Sequence, residues 1–162
     1  TEIYIFPYTT LSDLSRCIGA AETLRDGFQT TLRAICDYTE WTYGEVWQPE
    51  GPGDELRFVV GHTDDPDCQR FLDGSKDVTF APGSGLPGRV YASGLREWIS
   101  DVSLEPASIF QRTKLAAESD LHAALSVPVT PEEGEVCVSS TCAFTSRSRS
   151  ELLTCRAGNW AA

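Results

Sequence analysis

Apolar positions along the chain change period several times, and each change marks an element. From Ala20 to Tyr38 the residues Ala21, Leu24, Phe28, Leu32 and Ile35 recur at helical spacing, with Arg25, Asp26, Gln29 and Arg33 on the polar face. Tyr43-Gly44-Glu45-Val46-Trp47 then alternates like a strand, and Leu56 to Val60 returns after the turn cluster Pro49 to Asp54. Asp64 to Asp73 predicts a short helix capped by Asp64 or Asp65, with Pro66 in its first turn. Val78 to Ala81 reads as a strand, Leu86 to Ala92 as a helix stopped by Ser93-Gly94, and Glu97 to Ile99 as a compact strand. A loop from Asp101 to Ser108 leads to a helix over Ile109 to Glu118, with Phe110, Leu115 and Ala116 on one side. Leu121 to Val129 is an apolar central strand ending near Pro128, Thr130 to Gly134 a hairpin turn, and Glu135 to Phe144 a last strand. Hairpins at both ends, with short helices between the middle strands, predict an α+β domain built on an antiparallel sheet.

Gly83-Ser84-Gly85-Leu86-Pro87-Gly88 has the outline of a G-x-G-x-x-G dinucleotide fingerprint. That motif needs a buried parallel strand before it and a long helix after it. The strand here alternates and ends at Pro82, and the helix is short. The glycines therefore read as a structural loop in which Gly83, Gly85 or Gly88 takes a positive φ. Ser84 is no nucleophile elbow, because G-x-S-x-G is absent and no His–Asp pair is placed to activate it.

A length of 162 residues suits one domain with its own core. The formal net charge of −11 argues against a nucleic-acid partner or an anionic membrane surface, which need basic patches. No run of about eighteen apolar residues predicts a membrane span. Thr1 at the start and the absence of Met read as a piece excised from a longer protein, or as the product of processing. The cysteines at 17, 36, 68, 137, 142 and 155 lack C-x-x-C spacing, and His62 and His122 are not grouped with them, so zinc is not expected. The thiols read as reduced, which places the chain in the cytoplasm. Cys36 is expected on the buried face or edge of the first helix, and Cys68 at an exposed helix start beside Asp65, Pro66 and Asp67.

Four segments, in order, resemble the GAF domain, a ligand-sensing module of signalling proteins. They are Cys36 to Trp47, Phe80 to Val90, Glu97 to Val102 and Leu121 to Val129. The resemblance implies a GAF-like central antiparallel sheet of five to six strands with helices packed on its faces. It divides the chain into a lead-in segment (1–18), the GAF-like domain (19–145) and a tail (146–162) that is a truncated or atypical output connection. It also implies a small-molecule pocket roofed by residues 80 to 118, a homodimer, and a linked output: a histidine kinase, a cyclase or a transcriptional regulator. Two patterns known within the family are missing. Neither His follows a Cys, as covalent bilin attachment would require, and the Asn-Lys…Phe-Asp-Glu set of cyclic-nucleotide binders is not present.

Within that frame Phe80, Trp98, Phe110, Arg112 and His122 are the candidate ligand-binding residues, for a ligand and cofactor the sequence leaves unknown. Trp98 offers a pocket wall or an indole donor, although core tryptophans are commoner. Arg89, Arg112 and Lys114 are the cations near the roof and could grip an anion, although such residues are more often solvated. His122 suits pH sensing or haem ligation, or simply a hydrogen bond at a strand end. Asp101 is expected to cap the turn that follows it. The expected function is a non-catalytic sensory domain that modulates a linked output. The alternative is a thiol redox enzyme such as a free methionine sulfoxide reductase, for which Cys137 and Cys142 are the close pair.

Overall fold

The computed structural model describes residues 21–129 and, for the backbone alone, 140–146. The predicted turn at 130–134, the start of the last strand, the lead-in segment and the tail beyond residue 146 lie outside the described residues.

Helix α1 (Leu24–Thr39) begins at Thr23, whose hydroxyl accepts from the Asp26 N–H at 3.1 Å, and ends at Glu40 in a left-handed conformation. Its buried stripe runs through Gly27, Leu32 and Cys36, with Phe28 and Ile35 alongside, and Leu24 is left in solvent. The helix therefore starts later than the apolar spacing from Ala20 predicts. Strands β1 (Tyr43–Glu50) and β2 (Glu55–His62) form the expected antiparallel hairpin. Asp65 caps α2 (Pro66–Ser75), accepting from the Asp67 N–H.

Cys68, expected at an exposed helix start, is fully buried. It opens a stripe with Phe71 and Ser75 on the inner face of α2, and the acidic residues around it belong to the outer face. Strand β3 (Thr79–Phe80) pairs antiparallel with β2, and the glycine loop leads from it into α3 (Gly85–Ser93), closed by Gly94. Gly85 sits at φ 61°, and a Cβ on Gly88 would stand 2.3 Å from the Ala81 carbonyl oxygen. Both glycines are thus required by backbone and packing, as the structural reading of the loop holds.

Strand β4 (Glu97–Ile99) has its expected bounds. Helix α4 (Thr113–Glu118) is shorter than the predicted 109–118. The Thr113 hydroxyl bonds the Phe110 and Glu105 carbonyls, which holds residues 105–112 in turns rather than in a first helical turn. Strand β5 (Ala123–Val129) continues through Pro128, and β6 (Ser140–Ser146) lies between β5 and β1.

Among the described residues six strands make one antiparallel sheet in the order β3-β2-β1-β6-β5-β4. Helix α1 covers one face through Val46, Val60 and Trp41, while α2, α3 and α4 cover the other through Tyr43, Phe71, Leu86 and Ala116. A bulge keeps the two hairpin faces consistent. Val46 pairs with Val60 but Trp47 with Phe58, so Val59 is the extra residue.

Candidate functional site

Alternation along β1 sends Tyr43, Glu45 and Trp47 to the face under α2–α4, and all three are buried. A carboxylate there needs a cationic partner, because burying an unpaired charge is prohibitively costly. Arg112 supplies it from the turn before α4, 67 residues away. Its Nη2 donates to Glu45 Oε1 at 2.5 Å, and its Nη1 to Glu45 Oε2 at 2.7 Å and to Ser75 Oγ at 2.6 Å. The Tyr43 hydroxyl donates to the same Oε2 at 2.8 Å. Side-chain exposure is 4% for Arg112 and 1% for Glu45, so the pair is insulated from water.

Burial alone would lower the Arg112 pKa, but the Glu45 charge and hydrogen bonds outweigh it and hold the guanidinium above its ordinary value. Burial, then the Glu45 charge, holds the Tyr43 phenol well above its ordinary range.

Four aromatic rings surround the guanidinium. Its central carbon lies 4.6 Å from the Phe71 centroid, 5.2 Å from Trp47, and 5.5 Å from each of Phe80 and Phe110. Edge-on contacts between Trp47 and Phe80 at 4.8 Å, and between Tyr43 and Phe71 at 5.0 Å, fix the cage. Two buried donors in this cage make no hydrogen bond: Arg112 Nε and Trp47 Nε1. Orphaned N–H groups of this kind are rare and call for an acceptor.

Of the five residues singled out in the sequence, Phe80, Phe110 and Arg112 meet in this cage. Trp98 does not join them. Its neighbour Ile99 packs into the core beneath α2–α4, and alternation turns Trp98 to the α1 face, where its ring meets Trp41 edge-on at 6.1 Å. His122 makes separate contacts, Nδ1 to Asp101 and Nε2 to Asp120, both 3.2 Å. With a carboxylate at each ring nitrogen, haem ligation would have to displace one of them. Asp101 also caps its turn as expected, accepting from the Ser103 N–H at 3.1 Å.

Among the other cations, Arg89 binds both Glu97 carboxylate oxygens and the Ile109 carbonyl, bracing α3 to β4 and the roof, while Lys114 is exposed. Glu45, Trp47, Tyr43, Phe71 and Ser75 escaped the sequence reading. The alternation Tyr43-x-Glu45-x-Trp47 was the available signal, since a glutamate in step with two aromatics faces inward with them.

This architecture is shared widely. The chain has the fold of a GAF domain. It superposes on the GAF domain of a phosphoenolpyruvate-protein phosphotransferase from Coxiella burnetii with a TM-score of 0.67 at 17% identity, covering 91% of this chain and 84% of that one. A free methionine-R-sulfoxide reductase from Neisseria meningitidis gives 0.62 at 14% identity, over 85% and 71%. NreA from Staphylococcus aureus, described by its nitrate-binding site, gives 0.58 at 21% identity, over 75% and 86%. No protein-family profile matches the sequence.

Among curated proteins, Protein NLP8 and Protein NLP9 of Arabidopsis thaliana are each 28% identical, over 109 and 138 residues, or 60% and 77% of this chain. The anthocyanin regulatory Lc protein of Zea mays is 36% identical over 55 residues, 34% of the chain. The chain spans only 11% of NLP8, 14% of NLP9 and 9% of the Lc protein.

Proposed function

We propose that this GAF-fold domain is a non-catalytic sensory module. In this reading a small molecule bearing oxygen acceptors binds between the sheet and residues 80–118 and biases a linked regulatory output. The observation that carries it is the pair of orphaned donors, Arg112 Nε and Trp47 Nε1, inside one aromatic cage. A buried, aromatic-walled site with a few fixed polar groups is the usual form of a small-molecule pocket. The guanidinium favours a planar oxyanion or a carboxylate. Nitrate belongs to this class, and the structural likeness to NreA makes it the first ligand to try. Glu45 already balances the Arg112 charge, so an anion would enter together with a proton or by taking over part of Glu45's place on the guanidinium. The maize relative, named as a regulatory protein, favours a regulatory output over an enzymatic one.

The decisive experiment is calorimetry and thermal shift of the chain with nitrate, acetate and 2-oxoacids. Binding that weakens at least about tenfold in Trp47→Phe, which removes one donor and keeps an aromatic side chain, would support the site. No response to any of the panel, or a response indifferent to Trp47→Phe, would overturn it.

The described thiols also favour a non-catalytic reading over a thiol redox enzyme. Cys36 and Cys68 are buried, and burial, followed by Asp37 and Asp64, pushes the Cys36 pKa up to about 12. A thiol that stays protonated at neutral pH is a poor nucleophile. Cys137 lies outside the described residues. Thiol-dependent reduction of free methionine sulfoxide, lost on Cys137→Ser, would replace this reading with the enzymatic one.

A further inference from the structure

On the α1 face of the sheet, away from the Arg112 cage, a cleft of about 510 Å³ opens between the end of α1, the end of β2 and the start of α2. Asp37, His62 and Asp64 converge there, with one donor atom from each lying within 4.8 Å of the others. The backbone explains the convergence. His62 pairs with Gly44 at the end of β2 and shares the face of Val60, on which the last turn of α1 rests, while Asp64 follows two residues later.

Two features mark this cluster as unfinished. The first is His62 itself. Its side chain is only 10% exposed, yet Nε2 is buried and makes no hydrogen bond. Asp64 Oδ2 stands 3.6 Å from it, too far for a hydrogen bond. That gap suits two ligands of one ion, since donors about 2.0–2.2 Å from a tetrahedral centre lie roughly 3.3–3.6 Å apart. A buried imidazole nitrogen without a partner is the arrangement a metal ion would complete.

The second feature is concentrated negative charge. Glu40 adds a further carboxylate to the cleft wall, and no Lys or Arg is among the described residues lining it. Asp37 sits in the last turn of α1, where the helix dipole disfavours an anion, and that turn carries no basic residue.

We propose that Asp37, His62 and Asp64 form a divalent transition-metal site of the zinc class, separate from the ligand cage. One imidazole and two carboxylates make a borderline donor set that suits Zn²⁺ better than the all-oxygen preference of Ca²⁺ or Mg²⁺. Water fills the remaining coordination position. The ion joins α1, β2 and the α2 entry, so its binding stabilises the folded chain by mass action. Cys36, in the same wall, is not a ligand.

The test is titration of the chelator-treated chain with ZnCl₂, followed by calorimetry and melting temperature, with CoCl₂ as a spectroscopic probe. One equivalent of Zn²⁺ should bind and raise the melting temperature, and Co²⁺ should give a ligand-field spectrum without a thiolate charge-transfer band. His62→Gln should weaken Zn²⁺ at least about tenfold, the lower bound for losing even an outer-shell partner. Cys36→Ser should leave the affinity unchanged. Should His62→Gln fail to fold, Asp64→Asn is the second variant, at a position 75% exposed and therefore safe for the fold, and should also weaken Zn²⁺ about tenfold. The proposal is overturned by an absence of Zn²⁺ binding, by binding that survives these variants, by a thiolate band, or by Ca²⁺ binding as tightly as Zn²⁺.

Discussion

Arg112 and Glu45 lie 67 residues apart in sequence and form two parallel charge-assisted hydrogen bonds at the centre of the domain. The pair ties the turn before α4 to the middle of β1, so the position of the roof over the sheet depends on it. Ser75 brings α2 into the same network through Arg112 Nη1.

Removing one partner leaves the other charge buried and unpaired, which typically costs about 3–5 kcal/mol. Glu45→Gln and Arg112→Met should each lose stability on that scale in urea denaturation. The double variant Glu45→Leu/Arg112→Met should recover most of the loss, since an apolar replacement of a buried pair is often neutral. Additive losses in the double variant would show that the two residues act separately.

The glycine loop allows a graded test. Gly88→Ala should destabilise most, because its Cβ would meet the Ala81 carbonyl oxygen at 2.3 Å and backbone cannot yield cheaply. Gly83→Ala places its Cβ in open space and pays only for φ 82°, about 1–2 kcal/mol. Equal losses at the two positions would contradict the assignment of Gly88 to close packing. Denaturation midpoints of the two variants decide it.

Much of this fold was legible because its elements keep a clean period. The β1–β2 hairpin follows alternation, and α3 ends where Gly94 ends it. Helix α4 is shorter than Phe110, Leu115 and Ala116 on one side predict, because nothing local announces that the Thr113 hydroxyl takes up the Phe110 and Glu105 carbonyls. Part of the candidate site was also legible. Phe80, Phe110 and Arg112 are named from their place in the roof, whereas Glu45 goes unmarked in its strand because its partner Arg112 lies 67 residues away. Trp98 shows a limit of short strands. A three-residue strand gives no phase, so Trp98 and Ile99 could not be told apart as the inward residue. Cys68 was misplaced for the opposite reason: its acidic neighbours outweighed the spacing Cys68, Phe71, Ser75 that marks the buried stripe.

Stability should fall in alkali through two groups. Both Cys36 and Tyr43 have folded pKa values raised above their unfolded ones, so the unfolded chain releases each proton first. Their contribution is intact below the unfolded values, near pH 9 for the thiol and 10 for the phenol, and declines as pH rises towards the folded ones, about 12 for Cys36. Between pH 9 and 10 the thiol alone should account for a slope approaching 1.4 kcal/mol per pH unit. Cys36→Ala should lower the stability through lost packing yet flatten this part of the pH profile, while Tyr43→Phe should flatten only the part above pH 10. Urea midpoints from pH 8 to 11 distinguish the two. A wild-type profile flat across that range would show that neither group is held in its protonated form by the fold.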